Sequence, residues 1–354
     1  MKKIEILLRN ILLKLLLLFN PVKKDFTKPV INSHSNLLFI RLNRIGDALV
    51  TTPLIYEIKK QIGCKVYVLA DKKNHFIFRN NPSIDEVIIF DKGIKGILNI
   101  NKIIKEKNIN ALIDLHDDVS TTVSFITALA RVQYKFALRK ASASLYTNLV
   151  DRLDSQNNHV IDRVMQMASL FNITFNRNEI AVKYFPSEKE SQIAKKQIEF
   201  MNPAKKFLVG INISAGSEAR FWGVENYTNL LKFISKYDVK IVIFSSKLDE
   251  HFAKQIADEN DLYPLTENFD NFAAAIMNLN FLITPDTSVV HIASIKNIPV
   301  FGLYVKYKTS DMIWSPYNTD FDCVLTEESN LKNITSDEVK IKLIPFLEKH
   351  INAK

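Results

Sequence analysis

Three short stretches hold the side chains whose types and spacing could do chemistry. "RIGD", Arg44–Asp47, follows an apolar run and sets Gly46 beside a carboxylate. "NISAGSEARFW", Asn212–Trp222, puts Ser214 and Gly216 ahead of Arg220. "TPDTSVVHIAS", Thr284–Ser294, carries Asp286, Thr287, Ser288 and His291. An acid at the carboxyl end of a strand can take a proton from a substrate hydroxyl. Hydroxyl residues opening a helix offer free N–H groups and a positive dipole end, a seat for a diphosphate. Arg220 could neutralise the same phosphates with bidentate bonds. Each stretch also has a plain reading. Asp47, Asp286 or Thr287 would cap a helix, Arg220 would be surface charge, Trp222 would be core, and Gly46 would supply a positive φ.

The elements that must position these residues alternate along the chain. Strands are predicted at Leu37–Leu42, Val66–Ala70, Glu86–Phe90, Ala111–Leu115 and Tyr134–Ala137, with amphipathic helices at Leu54–Ile62, Ile97–Lys107 and Thr121–Arg131. Residues 157–205 are richer in helix formers, with one short strand candidate at Ile180–Tyr184. Alternation resumes with a strand from Phe207, a helix at Glu225–Tyr237, a strand at Val239–Phe244 and helices at His251–Asn260 and Phe269–Met277. A strand at Asn280–Thr284, a helix at Val289–Lys296, a strand at Pro299–Leu303 and a tail helix capped by Ser336 complete it. Such alternation indicates βαβ units and parallel sheets. The expected class is α/β, with two parallel-sheet domains whose strand-end loops face across a cleft, where ligands usually bind. The expected boundaries are 1–35 for an N-terminal helix and linker, 36–185 and 186–334 for the two domains, and 335–354 for a C-terminal helix.

At 354 residues and 47% hydrophobic content the chain can bury two cores. Two cysteines, Cys64 and Cys323, exclude a disulfide framework or a Cys-rich zinc site. A formal charge of +9 favours an anionic partner. Without an RNP motif, zinc finger or basic zipper, nucleic acid is not the expected one. The "HDD" at His116–Asp118 lacks a ligand set, so a solvated loop or a polar substrate contact is preferred to a metal. The opening "MKKIEILLRNILLKLLLLFNPVKK" is too charged to span a bilayer comfortably and has no small-residue cleavage site. It suits an interfacial helix with lysines near anionic headgroups, or else a helix docked on protein.

Taken together, the blocks resemble glycosyltransferase family 9, the ADP-heptose:lipopolysaccharide heptosyltransferase family. "RIGDALVTTP", "NPSIDEVIIFD", "LIDLH", "GINISAGSEARFWGVENYTNL" and "FLITPDTSVVHIASIKNIPVFGLY" occur in that family's order and spacing, from Leu37 onward. The resemblance implies a GT-B fold of two Rossmann-like domains and an inverting, metal-independent transfer with no cofactor. Asp47 then matches the proposed base and Arg220 a basic phosphate-binding position. Glu250 matches an acid on the nucleoside ribose, and Asp286, Thr287 and His291 match the diphosphate and sugar block. Gly46, Ser214, Gly216 and Ser288 belong with the donor loops, and Arg44, Arg139 and Lys140 are acceptor candidates, with surface solvation an equal explanation of Arg139 and Lys140.

This chain departs from the family pattern at Ser288, where glycine is usual, at Gly223, where proline is common, and at "YVKYK", Tyr304–Lys308. The resemblance implies transfer of heptose from ADP-heptose to a lipid-linked, anionic inner-core acceptor, on the cytoplasmic face of the inner membrane. The alternatives are another nucleotide sugar or glycan acceptor on the same fold, or an inactive membrane-associated binding protein. A donor panel separates the first, and ADP binding the second.

Overall fold

The computed structural model describes residue 11 and residues 29–353. The helix expected over the first two dozen residues lies outside the described residues, apart from Ile11. Among the described residues, no helix is long and apolar enough to cross a membrane. The chain forms two compact units: one takes residues up to Asp154 with Val160–Lys183, the other Ser155–His159 with Tyr184 onward.

Unit 1 is a parallel six-stranded sheet of β1 (Asn36–Arg41), β2 (Lys65–Ala70), β3 (Glu86–Ile89), β4 (Ala111–Asp114), β5 (Tyr134–Leu138) and β6 (Asn148–Val150), in the order β3-β2-β1-β4-β5-β6. Its helices are α1 (Ile45–Leu49), α2 (Thr52–Ile62), α3 (Ile94–Glu106), α4 (Thr121–Leu129) and α5 (Val160–Met165). β1 reads Asn-Leu-Leu-Phe-Ile-Arg, with every residue after Asn36 buried, the pattern of a central strand covered on both faces. The order reverses between β1 and β4, so the crevice beyond their carboxyl ends is the topological switch point.

Unit 2 contains α6 (Glu188–Met201), β7 (Phe207–Asn212), α7 (Val224–Ile234), β8 (Val239–Phe244), α8 (Glu250–Ile256) and α9 (Phe269–Ile276). It continues through β9 (Phe281–Pro285), α10 (Val289–Ser294), β10 (Val300–Val305), β11 (Phe321–Thr326) and α11 (Ser336–Ile351). The sheet is parallel throughout, ordered β11-β10-β9-β7-β8, and reverses between β7 and β9. Its core includes Trp222, Phe281, Phe301 and Leu343, and Trp222 Nε1 donates to the carbonyl of Ile334 at 2.7 Å.

Several local expectations are corrected. The cap of α1 is Arg44, and Asp47 lies inside the helix, so Asp47 caps nothing. Gly46 is helical too and has no positive φ. The cap of α11 is Thr335: its hydroxyl accepts from Glu338 N–H while the Glu338 carboxylate accepts from Thr335 N–H. Residues 180–184, expected as a short strand, belong to neither sheet, and the Lys183 N–H donates to the Thr52 hydroxyl at 2.9 Å. The edge strands β6 and β11 were not expected. Their residues are mostly half-buried and lack the unbroken apolar run of the central strands.

Candidate active site

At the switch point of unit 1, the last residue of β1 organises the loop that follows. Arg41 is buried, and its guanidinium donates from NH2 to Asp47 Oδ1 at 2.8 Å and from Nε to the Asp47 carbonyl at 3.0 Å. It also donates from NH1 to the carbonyl of Leu115, beyond β4. Burial pulls the guanidinium below its ordinary pKa, and the Asp47 carboxylate is the foremost charge opposing that. A buried charge persists only when paired in this way. One oxygen of Asp47 is thereby held, and the side chain keeps partial access to solvent.

Asp47 opens into a recess of about 350 Å³ lined also by Leu42, Asn43, Arg44, Asp71, Lys73 and Lys92. Arg44, an acceptor candidate, is exposed on this rim. Arg139, another, is exposed and paired with Asp151. Lys140 differs: its side chain is only 3% exposed, with its ammonium 2.7 Å from Asp114 Oδ2 and 2.6 Å from the His116 carbonyl. Surface solvation therefore does not describe Lys140.

The same cluster rewrites the "HDD" stretch. His116 is buried, with Nδ1 2.7 Å from Asp114 Oδ1, while Nε2 accepts from Leu42 N–H at 3.2 Å. Those two partners require a neutral ring protonated at Nδ1, and burial holds its pKa below the ordinary value. Burial alone would raise the Asp114 pKa, but His116 and Lys140 hold it well below the carboxylate range. Asp117 faces Arg163 at 3.3 Å, and Asp118 is exposed. His116 thus pins the β1 and β4 ends together and is no solvated loop residue. Among the described residues, no group of three His, Cys, Asp or Glu side chains is arranged to hold a metal.

At the switch point of unit 2, the loops after β7 and β9 meet. Asn212 Nδ2 donates to Thr284 Oγ1 at 2.9 Å, tying the two strand ends. Arg220 reaches across the loop, donating to the Asp286 carbonyl at 2.9 Å and facing its carboxylate at 3.1 Å. Burial raises the Asp286 pKa, with the charge of Arg220 opposing. Gly216 has φ +67°, a left-handed turn that a side-chain-bearing residue would resist. Ser214 Oγ accepts from Ser246 N–H at 2.8 Å, joining the β7 and β8 loops. Thr287 Oγ1 accepts from Val289 N–H, so Thr287 turns the chain into α10, whose cap position is Ser288.

The remaining donor candidates are placed differently. Glu250 opens α8 and pairs with Lys254 at 2.7 Å. His291 is fully buried against Trp314, with ring centroids 6.1 Å apart, and its Nδ1 has no partner among the described residues. Burial, then the charge of His159, push its pKa down to about 3. In the departed "YVKYK" segment Tyr304 is buried and donates to the Trp314 carbonyl at 3.2 Å. Trp222, the core alternative, is indeed core. Sequence reasoning missed Arg41; its one signal was a charge ending an otherwise apolar strand. Lys140 and Asp114 carried no comparable signal of mutual contact.

The family model described as glycosyltransferase family 9 (heptosyltransferase) matches residues 97–342. The chain is similar to the lipopolysaccharide core heptosyltransferase OpsX of Haemophilus influenzae, 22% identical over 307 residues, covering 83% of this chain and 85% of OpsX. Among solved structures it resembles a glycosyl transferase family 9 protein from Veillonella parvula. That match has a TM-score of 0.75 at 18% identity and covers 93% of this chain and 100% of the other. It also resembles the E. coli ADP-heptose lipopolysaccharide heptosyltransferase II, with a TM-score of 0.71 at 18% identity, covering 89% and 99% of the two chains. At such identities the structures establish the fold, two parallel-sheet α/β units of the GT-B type.

Proposed function

The chain belongs to glycosyltransferase family 9, and on that premise we propose that it transfers heptose from ADP-heptose to a lipopolysaccharide inner-core acceptor, with inversion and without a metal. The observation that carries this reading is that "RIGD" and the Arg220–Asp286 pair each occupy the strand-order reversal of a parallel sheet. In the reaction, the free oxygen of Asp47 takes the proton of the acceptor hydroxyl as that oxygen attacks the anomeric carbon. The bond from that carbon to the ADP oxygen breaks on the opposite side, which inverts the configuration. Charge develops on the leaving diphosphate. Arg220 can neutralise it, together with the N–H groups of Thr287 and Ser288, which meet no acceptor among the described residues. Glu250 is assigned to the ribose, and Arg44 to the acceptor.

A donor panel tests the substrate. Turnover with ADP-heptose and none with UDP- or GDP-sugars is expected; a clear preference for either of the latter overturns the assignment. The same reading places the protein peripherally on the cytoplasmic face of the inner membrane, through residues 1–24. Deleting them is expected to leave transfer to a delipidated acceptor analogue intact, while binding to anionic vesicles weakens and becomes sensitive to salt. Unchanged sedimentation with such vesicles would remove that anchor.

A further inference from the structure

Helix α3, in the unit that holds Asp47, has an outward face that is both apolar and basic in the same stripe. Its inner face buries Gly96, Ile100 and Ile104. Gly96 lies so close to Asp91 that an added Cβ would stand 1.5 Å from its carbonyl oxygen, which holds the start of the helix tight against the chain. That leaves Ile94 77% exposed and Leu98 57% exposed. Spacings of four, four and three residues put Ile94, Leu98, Lys102 and Lys105 on one stripe, with Lys95 beside it. Lys95 and Lys105 have no acidic partner among the described residues, and Lys102 has only the exposed Glu106 at 3.6 Å.

Single exposed leucines are ordinary. Two such side chains one turn apart, flanked by lysines on flexible stems of which Lys95 and Lys105 have no acidic partner among the described residues, match a layer that is apolar below and anionic above. Lys92, two residues before the helix, lines the recess that holds Asp47. We propose that the outward face of α3 is a docking surface for an anionic lipid bilayer, presenting the Asp47 recess to a lipid-linked acceptor. Only the last clause rests on the glycosyl-transfer reading; the docking does not.

Vesicle co-sedimentation of the full chain tests this, using vesicles rich in phosphatidylglycerol and vesicles of phosphatidylcholine alone. Two variants are compared with the parent: Lys95→Gln/Lys102→Gln/Lys105→Gln, and Ile94→Asp/Leu98→Asp. Retention of the parent's far-ultraviolet circular dichroism spectrum and thermal unfolding profile serves as the check on folding. All changes are on exposed positions, and the lysine variant remains informative if the apolar one does not fold. The expected result is binding of the parent to the anionic vesicles only, with partitioning reduced on the order of tenfold or more in each variant. Equal partitioning of parent and variants overturns the proposal, as does a parent that ignores anionic vesicles. Self-association lost in the variants while vesicle binding stays unchanged also overturns it, because the face would then seat a second copy. Lost vesicle binding alongside failure of every ADP-sugar as donor would uphold the docking face and sink the catalytic reading.

Discussion

At the scale of single residues, the candidate base is defined by what holds it. Arg41 engages one Asp47 oxygen and the Asp47 carbonyl, fixing the carboxylate while its other oxygen stays available. Asp47→Ala removes the proton acceptor, and turnover is expected to fall roughly 10²–10⁴-fold with ADP binding retained. Near-normal turnover in that variant would end the catalytic assignment. Arg41→Lys keeps a positive charge but cannot make the forked contacts, so Asp47 loses its orientation. The expected outcome is kcat lower by about tenfold with the donor KM nearly unchanged, since misplacement of a reacting group penalises the chemical step. Arg41→Met should be worse than Arg41→Lys. Equal kcat for Arg41→Lys and the parent would show that Arg41 is only structural.

At the scale of elements, the sheet ends are set by cross-strand ties and the last helix by its cap. α11 buries Val339, Leu343, Phe346 and Leu347 in the core of unit 2, so fraying at its start is felt by the whole unit. Thr335→Ala removes the hydroxyl half of the reciprocal cap and is expected to cost about 1 kcal/mol. Ser336→Ala, one residue on, makes no capping bond and should stay within about 0.5 kcal/mol. Denaturant titration followed by tryptophan fluorescence reads both. An equal cost for the two variants would contradict the assignment of the cap.

At the scale of the whole molecule, the probe selects the unit. The two tryptophans, Trp222 and Trp314, both lie in unit 2, so their fluorescence reports the unfolding of that unit alone. His291 is buried there, with its pKa pushed down to about 3 from an ordinary 6.5. Between those values the unfolded chain binds a proton that the folded unit does not. Stability from this group is therefore complete above about pH 6.5 and lost as pH falls toward 3, by an amount on the order of a few kcal/mol. His291→Gln is expected to flatten the loss of stability between pH 7 and pH 5. A slope identical to that of the parent would mean that His291 can be protonated in the folded unit.

The linear pattern alone carries the alternation of strands and helices, the parallel α/β class and the three loops that hold the candidate residues. Periodicity, turn chemistry and helix formers act within a few residues of one another, so they are legible one stretch at a time. Pairings across the fold are not. Arg41 meets the Leu115 carbonyl 74 positions away, and Arg220 meets Asp286 66 positions away. Those contacts depend on strand order, which puts β1 beside β4 and β7 beside β9. Strand order also turned Lys140 from an apparent surface charge into a buried partner of Asp114, and His116 into a pin between strand ends. A buried charge must find a partner wherever the fold supplies one, and the neighbours that satisfy it are chosen by topology, not by spacing along the chain.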